Sequence, residues 1–249
     1  MSGQREGPYA RLTASLQQMA SSLPTPPRAI LMVSAHWEAP AFTLQAHPQP
    51  PMIYDYYGFP EHTYQIRYPA AGSPELARLA AGLLQAAGLP TALDGQRGYD
   101  HGAYTPLAVA WPDAGIPVVQ LSLLEGLDPQ QHLQAGRALA PLREQGILLI
   151  GSGLSYHNLH RFGPAARQPS AVFDQWLQQC MSLPAIRRSQ TLLHWTQAPA
   201  ARLAHPREEH LLPLMVIAGA AEQEAARLIY HEARFMGGVS VSSFQLGNP

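Results

Sequence analysis

The chain has 249 residues, 46% of them apolar, which is enough for one large core and too many for a disordered chain. Only 13% are charged, about half the usual share of about 25%, and a net charge of −1 offers no field for a polyanion, so nucleic acid is not expected as a partner. All 16 basic residues are arginine, which excludes a Schiff-base lysine, a phosphate-loop lysine and a pyridoxal-type enzyme.

Residues 8–23 carry Leu12, Leu16, Met19 and Leu23 at helical spacing, and the prolines that follow end that helix. A continuous apolar run over 29–34 reads as a strand buried on both faces, with 42–45 as a neighbouring strand. Residues 48–74 are rich in Pro, Tyr and Gly around Tyr54-Asp55-Tyr56-Tyr57-Gly58-Phe59-Pro60, a length typical of binding loops. There follow a helix over 74–87, a short strand near 91–93, a helix after Gly102, a strand over 118–122, a helix over 129–145 and a strand over 147–150. The last third carries helices over 171–181 and 208–219 and a final strand over 241–246. This alternation predicts a single α/β domain over residues 1–249, with a mostly parallel central sheet flanked by helices. The single cysteine, Cys180, cannot make an intrachain disulfide and reads as a buried structural thiol. No apolar run reaches the roughly 18 residues that span a bilayer and the amino terminus lacks a signal-peptide layout, so a cytoplasmic chain without a membrane partner is expected.

In an open α/β sheet, ligands bind beyond the carboxyl ends of the strands. His36 follows the 29–34 run in Ser34-Ala35-His36-Trp37, and His157 follows the 147–150 run across Gly151-Ser152-Gly153. His101 and His210 occupy turns before helices, in Asp100-His101-Gly102 and Glu208-Glu209-His210. Any one of the four reads equally well as a half-buried, hydrogen-bonded histidine, but four converging on one sheet edge would make a site suited to a divalent metal. His47, His62, His132, His160, His194 and His231 read as solvated or locally bonded, and His205 as a brace for the turn at Pro206. The glycines around Ser152 read as a tight turn that aims His157. A serine hydrolase built on Ser152 is a distant reading, because Gly151-Ser152-Gly153-Leu154-Ser155 lacks the order of a nucleophile elbow. Tyr54, Tyr57 and Phe59 are candidates for an aromatic wall against a flat substrate, beside the reading that they pack their own loop.

These blocks, with Tyr68-Pro69-Ala70-Ala71-Gly72-Ser73-Pro74, Pro117-Val118-Val119-Gln120-Leu121-Ser122, His157-Asn158-Leu159 and His205-Pro206 through Leu214, resemble the class III extradiol ring-cleavage dioxygenases, in the branch similar to DOPA 4,5-dioxygenase. The resemblance runs in order from about Ala29 to the carboxyl terminus. It implies one Fe(II) or Zn(II) per chain and ring opening of a small aromatic diol, a catechol, by O2. It implies His36 as a metal ligand, another ligand from the Glu209-His210 pair with His210 favoured, and His157 as the active-site base or a further ligand. His101 would hold or protonate substrate and intermediate.

The sequence departs from that pattern at its start, where the family has a first strand and a His-Gly-rich turn that donates another metal histidine. Gly3-Gln4-Arg5-Glu6-Gly7-Pro8 stands there, with Gln4 in place of the histidine. A wrongly chosen start, a metal held by His36, His157 and His210 alone, and a loss of catalysis are the competing explanations. The last would leave a small-molecule or metal-binding protein. A missing strand would leave an unpaired sheet edge, which a second subunit could cover in a homo-oligomer.

Overall fold

The computed structural model describes residues 7–247. Strand β1 (Ala29–Ala39) can run through the middle of the molecule because Ala29 to Ser34 are at most 6% exposed, and only Ser34 among them carries a polar side chain. It pairs in parallel with β4 (Val118–Leu124) on one side and β5 (Ile147–Ser152) on the other. Beyond β4 lie β2 (Phe42–Gln45), antiparallel to it, and β3 (Thr91–Asp94), parallel to β2. The order β3-β2-β4-β1-β5 gives the mostly parallel five-stranded sheet expected of the alternating pattern. β5 is an edge strand of this sheet, and its Ile147–Ile150 run is half-buried.

Among the described residues, the first five helices fall where the sequence signals them. Helix α1 (Ala10–Ser21) presents the predicted Leu12, Leu16 and Met19 to a broad cleft, and none of its residues is fully buried. Helix α2 (Pro74–Ala86) starts where Ser73 accepts a hydrogen bond from the backbone of Leu76 at 3.2 Å. Helix α3 (His101–Ala110) is capped by Asp100, and α4 (Pro129–Leu139) by Asp128. The helix expected to continue to 145 tightens into a 3-10 segment from Ala140, where Pro141 supplies no N–H for the longer ladder. Helix α5 (Arg167–Ser182) buries Cys180, whose thiol burial pushes up to about 12. Helix α6 (Ala185–Leu193) and the single turn α7 (Ala201–Ala204) were not foreseen. Helix α8 (Leu212–Ala220) begins four residues later than expected, because Glu208 to Leu211 form turns instead. The closing strand, β7 (Val239–Leu246), pairs with an unforeseen β6 (Ala226–Phe235) in a separate antiparallel ribbon. Among the described residues, no helix is long and apolar enough to cross a membrane.

Helices α4 and α8 approach closely through glycines. A Cβ on Gly136 would collide with the backbone carbonyl of Val216, and one on Gly219 with that of Leu133. Gly136→Ala is therefore expected to lower stability by about 1–3 kcal/mol, the usual range for overpacking, as read from urea unfolding.

Candidate functional site

The site collects at the carboxyl ends of β1 and β5. Between Val33 and Glu38, β1 advances five residues while β4 advances only two, from Leu121 to Leu123, so His36 sits on a bulge out of the ladder. Ser34, just before it, donates to Asp100 Oδ1 at 2.8 Å. The fully buried Asp100 also accepts from Gln120 Nε2 at 2.6 Å, Arg97 Nη2 at 3.1 Å and the backbone of Ala103 at 3.1 Å. This carboxylate ties the start of α3, and so His101, to β1 and β4. Gly102 permits the approach, since a Cβ there would lie 2.7 Å from Ser34 Oγ and 2.8 Å from His36 Cδ2.

His157 leaves β5 on a turn held from below. Its backbone N–H donates to Ala204 at 2.9 Å, Asn158 Nδ2 donates to Leu203 at 2.9 Å, and Leu154 N–H donates to the His210 carbonyl at 3.2 Å. His205 braces the same turn, with Nε2 3.1 Å from the Ser155 carbonyl. Gly151 and Gly153 do not adopt the left-handed conformation expected of a tight turn. They are needed because a Cβ on either would strike the segment before α8 or its first turn, at the Pro213 and His210 carbonyls. Ser152 donates to the Gly102 carbonyl at 2.6 Å and has no histidine on its hydroxyl, which leaves the hydrolase reading without a base.

The four histidines do converge. Ring centroids of His36 and His101 are 4.0 Å apart, His36 and His210 5.0 Å, and His157 and His210 stack at 3.3 Å with 17° between planes. Two carboxylates that the sequence reading did not assign to the site as acceptors lie among them. Glu209 Oε1 is 3.1 Å from Nδ1 of His157 and 3.1 Å from Nδ1 of His210. Asp55 Oδ1 is 2.8 Å from Nδ1 of His101, and its Oδ2 is 3.5 Å from Nδ1 of His36. Asp55 stands in the Tyr-rich loop with no periodicity to mark it. Glu209 was visible in the sequence as half of the Glu209-His210 pair from which a metal ligand was expected, not as an acceptor for two histidines.

Burial lowers the His36 imidazole to about 4, with His101 and His210 pushing the same way. Burial lowers His210 as well, against the hydrogen bond to Glu209. For Glu209 burial alone would raise the carboxyl, but hydrogen bonds from His157 and His210 hold it well below the usual carboxylate range. For Asp55 burial is likewise outweighed, by the ring and backbone of His101, and the carboxyl is held down to about 2. Neutral imidazoles beside ionised carboxylates are the state in which ring nitrogens can bind a metal.

Two groups of ligating atoms, each within 4.8 Å of one another, could hold an ion: His36, Asp55 and His101, and His157, Glu209 and His210. The donor chemistry fits one. Glu209 Oε2 is buried with no hydrogen-bond partner and has Arg207 only at 3.9 Å, so a divalent cation beside the two imidazoles would meet an anionic oxygen with coordination capacity to spare. Gln4 lies outside the described residues.

An open cleft of about 1800 Å³ takes in His36, Asp55, His101, His157, Glu209 and His210 and continues along β5 toward α1. Tyr57, 92% exposed, and Phe59, 58% exposed, stand on its lining. Tyr54 turns away from it, donating to the Ile66 carbonyl at 2.8 Å and packing edge-on against Tyr56, Tyr64 and Tyr104. Tyr56 takes the place beside the site, its ring 5.4 Å from that of His101.

Against known proteins, the chain matches the family described as the catalytic LigB subunit of aromatic ring-opening dioxygenase over residues 3–244. It is 44% identical over 214 residues to a 4,5-DOPA dioxygenase extradiol of Portulaca grandiflora, covering 83% of this chain and 78% of that one. It is 36% identical over 240 residues to the Escherichia coli K12 protein of that name, covering 94% and 88%. With the dioxygenase tasH of Hapsidospora irregularis it shares 41% identity over 212 residues, 80% of this chain and 65% of that one. The crystal structure of an uncharacterized Escherichia coli K12 protein superimposes with a TM-score of 0.79 at 32% identity, covering 94% of this chain and 92% of that one. The chain belongs to the LigB family of aromatic ring-opening dioxygenases, in its extradiol class.

His205 gives the fold a defined response to acid. Fully buried, it is pushed down to about 3, first by burial, so the unfolded chain binds its proton from about pH 6.5 downward while the folded chain does not. Its contribution is intact above pH 6.5 and is lost progressively toward pH 3, at up to about 1.4 kcal/mol per pH unit. His205→Gln, which keeps a donor for Ser155 but cannot be protonated, is expected to flatten the fall of Tm between pH 6.5 and 4.

Proposed function

We propose that this dioxygenase opens the ring of a catechol-type diol, with one Fe(II) or Zn(II) per chain held by His157 and His210 of one candidate group together with His36, whose ring lies 5.0 Å from that of His210. The observation that carries the reading is the Glu209 clamp. A carboxylate can only accept, so Nδ1 of both His157 and His210 carries hydrogen toward it, and the lone pairs of both stacked rings are left on Nε2. An imidazole whose other nitrogen donates to a carboxylate is the usual form of a metal-bound histidine. The metal, when bound, would bring the diol hydroxyls and O2 into neighbouring coordination positions.

The remaining residues bind and move protons. His101, beside His36, takes the proton of a substrate hydroxyl and returns it later. Tyr57 and Phe59 offer flat apolar faces at the cleft lining for an aromatic ring, and Tyr56 backs His101. Arg207, held in an ion pair with Glu38, stands at the same lining.

After anaerobic loading with Fe(II) or Zn(II), elemental analysis is expected to find close to one metal per chain, falling below about a tenth in His36→Ala. The loaded protein is expected to consume O2 with a catechol and release a yellow ring-opened product. Metal-filled protein that takes up no O2 with any catechol in a panel would sink the reading.

A further inference from the structure

Asp55 brings a carboxylate into the site from the loop between β2 and α2, with Oδ2 lying 3.5 Å from Nδ1 of His36 and Oδ1 taken up by His101. Asp55 Oδ1 accepts from the backbone N–H of His101 at 2.9 Å and lies 2.8 Å from the ring Nδ1 of the same residue. Both contacts fall on the first residue of α3, whose position Asp100 already fixes through the helix cap. Asp100 therefore holds the backbone, and the Asp55 contact adds something the cap does not supply: it acts on the imidazole. The ring has little other company that could choose its tautomer. Its close neighbours are His36 at 4.0 Å and the edge of Tyr56 at 5.4 Å between centroids, and among the described residues Asp55 is its only hydrogen-bond partner.

A neutral imidazole has one N–H and one lone pair, and the nitrogen facing a carboxylate must be the one that carries hydrogen. We propose that Asp55 is a positioning residue that fixes His101 as its Nδ1–H tautomer, leaving Nε2 as the single basic atom His101 offers to a substrate hydroxyl. The role in turnover rests on the reading of His101 as the proton-handling group; the tautomer does not. The same logic runs through Glu209, which takes Nδ1 of His157 and of His210, so each carboxylate sets the face its histidines present. The Tyr-rich loop thereby does more than wall the cleft.

Long-range 1H–15N correlation spectra of 15N-histidine protein read the tautomer directly, with His101 assigned from the signal lost in His101→Gln. The expected result is Nδ1–H for wild type and a shift toward Nε2–H or a mixture in Asp55→Ala. Asp55→Asn, which keeps an oxygen acceptor, is expected to retain the tautomer in part. In steady-state assays of the metal-loaded protein, Asp55→Ala should lose about 10²-fold in kcat, within the range of general acid–base catalysis, while KM changes less than about threefold. Asp55→Asn should recover part of that loss. Nε2–H at His101 in wild type overturns the proposal whether or not the variants fold, and so does an unchanged Nδ1–H tautomer in Asp55→Ala. The expected tautomers in a protein that turns over no catechol would support the positioning role and overturn only the function proposed above.

Discussion

Imidazoles in ring contact, His101 with His36, His36 with His210 and His210 with His157, repel when both carry protons, so the site depends on the charge and the orientation of these rings. Burial acts on the first at His36 and His210, holding both below the ordinary imidazole value. Ionised carboxylates act on the second. Glu209 accepts from two rings and Asp55 from a third, and each is held ionised by those same hydrogen bonds against its own burial. The arrangement is mutual: the histidines stabilise the anions, and the anions decide which nitrogen of each histidine is left bare. It also leaves one anionic oxygen, Glu209 Oε2, without a hydrogen bond and with only Arg207 at 3.9 Å as a positive neighbour, which a cation at the site would supplement.

The sheet brings these groups together without bending any strand far. Parallel strands deliver their carboxyl ends to one side, and the bulge in β1 lifts His36 out of the ladder there. Close packing does the rest. Gly102 lets α3 lie against β1, and Gly153 lets the β5 turn lie against His210, where any side chain would push a histidine away. The fully buried Asp100, with donors from Ser34, Gln120, Arg97 and Ala103, then locks helix and strands as one frame. A carboxylate buried this way is stable only with all its donors in place, so it fixes the frame to a single arrangement.

The fold was largely legible because strand and helix periods in an α/β chain are set by local burial. The apolar runs at β1, β4 and β5 have strand length, those at β1 and β4 fully buried and that at β5 half-buried on the sheet edge, and the histidines after β1 and β5 stood where such sheets bind ligands. Legibility failed where the deciding contact was distant in sequence. β6 alternates weakly, with Arg227, His231, Glu232 and Arg234 among its residues, and becomes a strand through its partner β7. The late start of α8 follows from the turns that place Glu209 and His210.

The sequence by itself determined the order of the elements, the four histidines and, through their motifs, the chemistry to expect of them. Only the tertiary structure decided which nitrogens those histidines present. Asp55 reaches His101 across 46 residues and Glu209 reaches His157 across 52, and neither carboxylate carries any pattern in its own segment. It likewise decided that Tyr56 rather than Tyr54 stands beside the site, since both lie in one loop and only packing against Tyr64 and Tyr104 turns one of them inward. Periodicity records what a residue buries within its own element; it holds no information about a hydrogen bond made across the fold.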